Sequence, residues 1–304
     1  MAEGVETGQA TAGRQRGLKG LASDYLTLTK PPIISLLLIT AMGGMFLAAG
    51  GIPSLQTMAL VAVGGALGAG GANAINHFLD RDIDAMMSRT VGRPVASNRI
   101  SPMSALAFGV ALNVGAFIVL FYWVNLLSAL TLSATLFYVL VYTGWLKRST
   151  PQNIVIGGTA GAIPPMVGWA AVTGGLELPA LYLFTIVFFW TPPHFWALAL
   201  LIKNDYQAAG IPMLPVVVGE ERTAQSIFMY SLALVALTLL FAATDTVGLV
   251  YLASAAALGA GFISLAWKLK LETTTRRAKN LYLFSLLYLA LLFSVMMADG
   301  VYRF

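Results

Sequence analysis

Long apolar stretches alternate with short polar segments along almost the whole chain. Nine of these stretches approach or exceed the roughly 17–25 residues that a helix needs to cross a bilayer. They lie near residues 31–50, 56–78, 102–122, 125–145, 153–173, 179–201, 226–244, 247–267 and 280–298. Turns that contain glycine and proline, such as AAGGIPS and VTGGLELP, separate several of them. The pattern predicts an all-α membrane domain over residues 21–304, a bundle of nine transmembrane helices that we number spans 1 to 9.

The composition agrees with an integral membrane protein. Hydrophobic residues make up 58% of the chain and charged residues only 10%, whereas soluble domains carry about 25% charge. We therefore expect the protein to lie in a lipid bilayer and to have no nucleic-acid partner. The absence of cysteine excludes disulfides, thiolate metal sites and a cysteine nucleophile. Residues 1–20 are polar and basic without an apolar core, which predicts a disordered tail rather than a secretory signal.

The basic residues are distributed very unevenly between the two sides of such a bundle. With nine spans, seventeen of the eighteen Lys and Arg residues fall in the N-terminal tail or in loops on the same side, and only Arg303 falls on the other. The positive-inside rule then predicts a cytoplasmic N-terminus and an external C-terminus. The short polar N-terminal segment favours a bacterial cytoplasmic (inner) membrane over a mitochondrial inner membrane.

Charge is concentrated in the segment NHFLDRDIDAMMSRTVGRP, which begins at Asn76. Asn76, Asp80 and Asp84 follow an i, i+4, i+8 spacing and line one face of a helix, whereas Asp82 points away. Two neighbouring carboxylates repel unless a cation lies between them, and oxygen ligands suit Mg²⁺. The spacing therefore predicts a magnesium site at the cytoplasmic end of span 2.

Two arginines follow this stripe, Arg89 and Arg93, and guanidinium groups bind phosphate oxygens through paired hydrogen bonds. Acidic residues that can bind Mg²⁺, next to arginines that can bind phosphate, predict a diphosphate site. The alternative is a loop whose mixed charge serves only topology and solubility. The same alternative applies to Lys147 and Arg148 at the end of span 4, which are either phosphate ligands or ordinary positive-inside residues.

The stretch TPPHFWALALLIKNDYQAAGIPMLPV carries a second group of polar residues. His194 lies within span 6, and Lys203 and Asp205 lie at its cytoplasmic end. A histidine at membrane depth is either a functional residue or a hydrogen-bonding partner between helices. His77, the other histidine, is turned about 100° from the acidic stripe and is interpreted as structural.

Several motifs resemble a known family. NAINHFLDRDIDAMMSRTVGRPV resembles the first aspartate-rich motif, N-x-x-x-D-x-x-x-D, of the UbiA superfamily of intramembrane prenyltransferases. YTGWLKRSTPQNIVIGGTAGAIPPMVGW, WTPPHFWALAL and DYQAAGIPMLPVV resemble the branch of that superfamily that farnesylates protohaem IX. The resemblance runs from about Tyr25 to the C-terminus. It implies that farnesyl diphosphate ionises, that the 2-vinyl group of protohaem attacks the allylic cation, and that water completes haem O.

The resemblance also implies roles for individual residues and a partner, a haem A synthase that receives the product. The expected catalytic residues are Asn76, Asp80, Asp84, Lys203, Asp205 and His194, of which Asn76, Asp80, Asp84 and Asp205 would hold Mg²⁺. The expected diphosphate-binding residues are Arg89, Arg93, Lys147 and Arg148. Many relatives carry a second acidic pair, but here Leu201 stands four residues before Asp205. We therefore expect Asp205 to act with Lys203, and His194 to contact haem or handle a proton.

Three other functions remain open from the residues. The same fold with another acceptor, such as 4-hydroxybenzoate, is disfavoured by PPHFWALAL and AGIPMLPV. An ion-coupled transporter would need ionisable residues near mid-membrane and an internal repeat, and neither is evident. A structural subunit of a respiratory complex would not need a diphosphate site.

Overall fold

The computed structural model of the chain describes residues 17–302, and the side chains of all of these except residues 137 and 138. This part is built of helices, and nine of them are long and apolar enough to cross a membrane. They are Pro31–Ala49, Leu55–Leu79, Pro102–Trp123, Leu126–Ser149, Asn153–Thr173, Leu178–Leu201, Glu220–Thr244, Leu249–Leu271 and Thr275–Tyr302. The predicted nine spans are confirmed for this part of the chain. Their orientation in a membrane stays a prediction.

The structure departs from the sequence-based boundaries in two ways. Spans 7 and 9 begin several residues earlier than predicted, at Glu220 and Thr275, because apolar length marks only the part of a helix inside the bilayer and their first turns carry charged residues. A helix, Leu18–Thr29, also precedes span 1. The last residues of the predicted disordered tail are therefore helical, and residues 1–16 of that tail lie outside the described residues.

Local sequence signals set several helix ends. Ser54 and Ser101 cap spans 2 and 3 by accepting a hydrogen bond from the backbone N–H three residues on. Gly50 and Gly174 end spans 1 and 5 with φ of 57° and 70°, a left-handed conformation that glycine adopts without steric cost.

Spans 4 and 5 contain irregular backbone, and span 6 contains an internal proline pair. Span 4 passes through a π-helical segment, Tyr138–Leu146, a geometry that often marks functional sites. Span 5 is divided into Asn153–Gly161 and Ile163–Thr173, because a proline pair at 164–165 cannot donate backbone hydrogen bonds. Span 6 stays continuous through Pro192 and Pro193, which transmembrane helices tolerate when neighbours pack around them.

The spans form two packed groups that contact each other. Span 2 packs on span 3 and span 1 on span 5, while spans 6 to 9 pack among themselves and span 9 returns to span 1. The crossing of spans 1 and 5 needs small residues: a Cβ at Gly44 would meet the carbonyl of Pro165, and one at Gly168 would meet that of Ala41. Such close backbone approach is how small residues join helices in membranes.

The most deeply buried side chains are apolar or aromatic, and many of the largest lie in spans 7 to 9: Tyr251, Tyr288, Phe241, Phe262 and Phe293. Polar side chains gather instead where spans 2, 4 and 6 end. Two short helices, Arg81–Met86 and Lys203–Ala208, follow spans 2 and 6 there. The candidate site lies at this end of the bundle.

Candidate active site

Asn76, Asp80 and Asp84 share one inward face at the end of span 2. The amide of Asp80 donates to the carbonyl of Asn76 at 2.9 Å, and the amide of Asp84 donates to the carbonyl of Asp80 at 2.7 Å. The i, i+4 spacing therefore continues through the break after Leu79. The three residues are 8%, 1% and 2% exposed, whereas the side chain of Asp82 is 56% exposed.

Cations from two other segments neutralise the buried carboxylates. Lys147 Nζ donates to Asp80 Oδ2 at 2.6 Å. Arg93 Nη1 donates to both oxygens of Asp84, at 2.7 and 2.8 Å. A buried charge that loses its partner typically costs about 3–5 kcal/mol. These pairs therefore hold the end of span 4 and the loop after span 2 against the stripe.

Lys30 is a third cation at the stripe, and the sequence reasoning used it only to assign sidedness. Its Nζ donates to Asn76 Oδ1 at 3.1 Å, and Asn76 Nδ2 donates to Thr143 in the π-helical segment at 3.0 Å. Burial, followed by the nearby positive charge of Arg93, lowers the pKa of Lys30 to about 7. Lys30 reaches the site from a turn with φ of 53° between the helix Leu18–Thr29 and span 1.

Arg148 faces outward rather than toward the stripe. Its guanidinium binds both oxygens of Asp82, at 2.6 and 2.7 Å, and caps the carbonyl of Leu79 at 3.0 Å. The hydrogen bonds from Arg148 lower the pKa of Asp82 to about 2. The expected diphosphate contact of Arg148 is not supported by this arrangement, because its paired donors already bind an exposed carboxylate.

The residues after span 6 also pair differently from expectation. Lys203 Nζ donates to Glu220 Oε1 at 3.0 Å, and Asp205 Oδ2 accepts from the Ser88 hydroxyl at 2.7 Å. Neither contact joins Lys203 to Asp205, since residues two apart on a helix point to different faces, and their expected partnership stays a prediction. Asp205 instead contacts the loop that follows the aspartate stripe.

Tyr206 is a buried residue that the sequence reasoning did not single out. Burial raises the pKa of its phenol; the charges of Arg89 and Arg93 act against that shift, and those of Asp80 and Asp205 act with it. The tyrosine thus lies within electrostatic range of both polar clusters. Arg89 itself is exposed and forms no salt bridge with another described residue. The only sequence signal for Tyr206 was its position beside Asp205.

Buried atoms without partners mark the same region. Among the described side chains, Asp80 Oδ1 and both amide atoms of Asn153 are buried without a hydrogen-bond partner, which is uncommon in folded proteins. Within residues 17–302, no three His, Asp or Glu side chains gather closely enough to hold a metal alone. Two carboxylates and an amide suit Mg²⁺ that is shared with substrate phosphates. The donor set of Asn76, Asp80 and Asp84 therefore fits Mg²⁺.

The structure separates His194 from this cluster. His194 lies inside span 6, 6% exposed, and its Nδ1 is 2.7 Å from the Ser285 hydroxyl of span 9. His77 is 1% exposed, and neither of its ring nitrogens has a partner among the described residues. The interpretation of His77 as structural is consistent with burial, but it is not a hydrogen-bonding link between helices.

The site therefore combines oxygen ligands, cations and an apolar bundle. Carboxylates that are already neutralised by lysine and arginine, with further cations at the rim, suit a strongly anionic ligand that arrives with a divalent cation. The deep apolar spans beneath suit a ligand with a long hydrocarbon chain. A diphosphate that carries such a chain meets both requirements.

Comparison with known sequences agrees with this chemistry. The model of the UbiA prenyltransferase family matches residues 37–292. A protoheme IX farnesyltransferase of a Roseiflexus species is 52% identical over 94% of this chain and 54% of the relative's length. The protein of the same name from Gloeobacter violaceus is 49% identical over 94% of this chain and 95% of its own length. The chain spans about half the length of the first curated relatives it matches, among them that of Thermus thermophilus.

Solved structures share the fold at low sequence identity. A digeranylgeranylglyceryl phosphate synthase superposes with a TM-score of 0.76 at 18% identity, covering 92% of this chain and 98% of that chain. A UbiA homologue from Archaeoglobus fulgidus bound to GPP and Mg²⁺ gives 0.61 at 19% identity, covering 90% and 99%. These likenesses establish the fold of the bundle.

Proposed function

The chain belongs to the UbiA prenyltransferase family, and on that premise we propose that it transfers a farnesyl group from farnesyl diphosphate to the 2-vinyl group of protohaem IX. The products are haem O and diphosphate. The observation that carries the proposal is the buried stripe of Asn76, Asp80 and Asp84, with a cation bound to each of its three members. Relatives about half identical over nearly the whole chain carry the matching name.

The residues at the stripe would bind and activate the diphosphate. Lys147, Arg93 and Lys30 each already contact a stripe residue, so they lie within reach of phosphate oxygens bound there. The C–O bond of farnesyl diphosphate breaks, and its electron pair leaves with the diphosphate. Preorganised cations stabilise that developing charge more in the transition state than in the substrate.

Asn76, Asp80 and Asp84 would hold Mg²⁺, with the unpartnered Oδ1 of Asp80 as a free ligand. The metal would supply neutralisation of the diphosphate charge. Asp205 lies one hydrogen bond from the loop that follows the stripe, so we assign it a supporting role beside Tyr206. Arg89 would reach the diphosphate from the exposed rim. Lys203 and Arg148 would act at the periphery, because exposed carboxylates already bind them.

The apolar spans would bind the other parts of both substrates. The farnesyl chain and the protohaem ring are apolar and partition into the bilayer, so the reaction needs charge only at the mouth of the bundle. The vinyl group supplies the electrons for the new C–C bond, and water then adds to the resulting cation and loses a proton. Packed helices around the allylic cation keep other water away from it.

We propose a location and partners on the same basis. The protein is an integral membrane protein, and the positive-inside rule supports a cytoplasmic mouth of the site in a bacterial inner membrane. A haem A synthase is the proposed receiver of haem O.

Purified protein incubated with protohaem IX, farnesyl diphosphate and Mg²⁺ should form haem O, detected by mass spectrometry. Omitting Mg²⁺ and adding a chelator should suppress the product. Parallel reactions offer 4-hydroxybenzoate as the acceptor. Prenylation of 4-hydroxybenzoate without any haem product would contradict the proposed acceptor while leaving the family chemistry intact.

A further inference from the structure

His194 is held in one tautomer by its neighbours. The Ser285 hydroxyl donates its only hydrogen to the carbonyl of Tyr282 at 2.6 Å. Ser285 must therefore accept the 2.7 Å hydrogen bond that it shares with His194 Nδ1. Nδ1 then carries the proton, and a neutral imidazole keeps its lone pair on Nε2. Trp190 Nε1 also donates to the carbonyl of Ser285 at 2.8 Å, which fixes the residue that orients the ring.

Aromatic packing restrains the imidazole as well. Its ring centroid lies 4.4 Å from that of Trp190 and 4.9 Å from that of Tyr282, with interplanar angles of 16° and 25°. Phe195 contacts the ring edge-on at 5.1 Å. Nε2 makes no hydrogen bond with any described residue and is not among the fully buried unpartnered atoms. The ring is therefore restrained, and the Nε2 lone pair has no hydrogen-bond donor among the described residues.

This arrangement is the one that a metal-binding histidine has. Such histidines usually donate the second ring N–H to an oxygen, which fixes the ring orientation and raises the basicity of the free nitrogen. The chain has no cysteine and one other histidine, His77, which is 1% exposed beside Asn76. Between the two imidazoles, only that of His194 has its second nitrogen fixed by an oxygen partner.

On the basis of the proposed function, we propose that His194 Nε2 is an axial ligand of the protohaem iron and that Ser285 is its positioning residue. Iron coordination would fix the centre of the macrocycle and limit the vinyl groups to rotation about the Fe–N axis. His194 lies seven residues before Leu201, or about 10 Å deeper along the helix. An apolar ring at that depth would lie beneath the diphosphate end, where a vinyl group can meet the allylic carbon.

Protohaem IX titrated into the purified full-length protein in lipid nanodiscs tests this assignment by its spectrum. Wild type should give the Soret band and the electron paramagnetic resonance signal of imidazole-ligated haem. His194→Ala should lose them, whereas His77→Ala, the matched control, should keep them. Free imidazole added to His194→Gly should restore them.

The affinities for protohaem and for metal-free protoporphyrin distinguish the loss of an iron ligand from a change in the shape of the pocket. Protohaem affinity should fall at least ~10-fold in His194→Ala, because even the loss of a ligand's hydrogen-bond partner typically costs metal sites that much. Metal-free protoporphyrin IX offers no iron, so its affinities for wild type and His194→Ala should agree within about twofold. Ser285→Ala should change the spectrum with less loss of affinity, which keeps the test valid if His194 variants fold poorly.

An unchanged spectrum in His194→Ala and Ser285→Ala would overturn the assignment, as would an equal loss of protohaem and protoporphyrin binding. The proposed function fails separately. If wild type makes haem O but the spectrum is independent of His194, only the ligand assignment is wrong. If the spectrum depends on His194 but no haem O forms, the haem site stands and the proposed reaction is wrong.

Discussion

Two polar corners at the same end of the bundle differ in how deeply their charged groups are buried. In the first corner, Asp80 and Asp84 are 1% and 2% exposed. Their carboxylates are paired with cations from other segments. In the second corner, formed by Lys203, Asp205 and Glu220, the lysine binds a carboxylate whose side chain is 46% exposed. The first corner keeps its charges in a low-dielectric setting, where they interact strongly with one another and with a ligand.

Residue type and position along the chain therefore do not show which charged residues are buried at the site. Lys147 and Lys203 both follow a transmembrane helix on the same predicted side, and the sequence analysis expected a role for both, Lys147 in diphosphate binding and Lys203 in catalysis. Their contacts separate them: Lys147 binds the buried Asp80 and Lys203 the exposed Glu220. We therefore expect the site to depend more on Lys147, because its partner is buried.

The largest expected loss of activity follows substitution of an acid in the first corner, and the matching substitution in the second corner should cost less. Asp84→Asn removes a buried charge and a proposed magnesium ligand, so kcat/KM for farnesyl diphosphate should fall about 10²–10³-fold or more. Asp205→Asn should cost about tenfold, since that carboxylate supports the site through Ser88. Initial rates of haem O formation at equal amounts of membrane protein measure both.

Asp82→Asn is the matched control for these acids, because its side chain faces solvent on the same short helix. It should stay within about fivefold of wild type, as an exposed ion pair contributes at most ~1 kcal/mol. Equal losses at Asp82, Asp84 and Asp205 would show that burial does not distinguish the two corners.

A smaller effect is expected for the two lysines. Lys147→Met leaves Asp80 as an unpaired buried carboxylate, so it should lower the melting temperature clearly and cut turnover about 10²-fold. Lys203→Met, which keeps the same stem, should stay within about fivefold and melt near wild type. Thermal unfolding in detergent and initial rates give the comparison. A loss at Lys203 as large as at Lys147 would favour the expectation from the sequence that Lys203 is catalytic.

The smallest effect concerns the rim of the first corner. Arg148 holds the pKa of Asp82 at about 2, below its ordinary value of 3.8. The pair therefore stabilises the fold above about pH 4 and loses that contribution as pH falls through about 2. At pH 7, the free energy of unfolding of Asp82→Asn should be lower than that of wild type by at most ~1 kcal/mol, the limit for so exposed a pair. A gap that stays constant from pH 7 to pH 3 and below would contradict this assignment.

Several features followed directly from sequence patterns. Apolar length alone predicted all nine spans, because each transmembrane helix satisfies its own backbone and must match the bilayer. The i, i+4, i+8 spacing predicted that Asn76, Asp80 and Asp84 share a face, and the structure buries all three. The helix before span 1 was missed because twelve mixed residues, Leu18–Thr29, carry no membrane-length apolar signal.

Hydropathy and helical period are local properties, so the number of spans, the acidic stripe and the position of His194 along span 6 could all be predicted without a structure. The partners of these residues are not local. Lys30 meets Asn76 across 46 positions, Lys147 meets Asp80 across 67, and His194 meets Ser285 across 91. Such pairings depend on how helices cross, at contacts such as Gly44 and Gly168. The packing of the helices determines which cation neutralises each acid and which nitrogen of His194 keeps its lone pair, because both depend on groups that are distant along the chain.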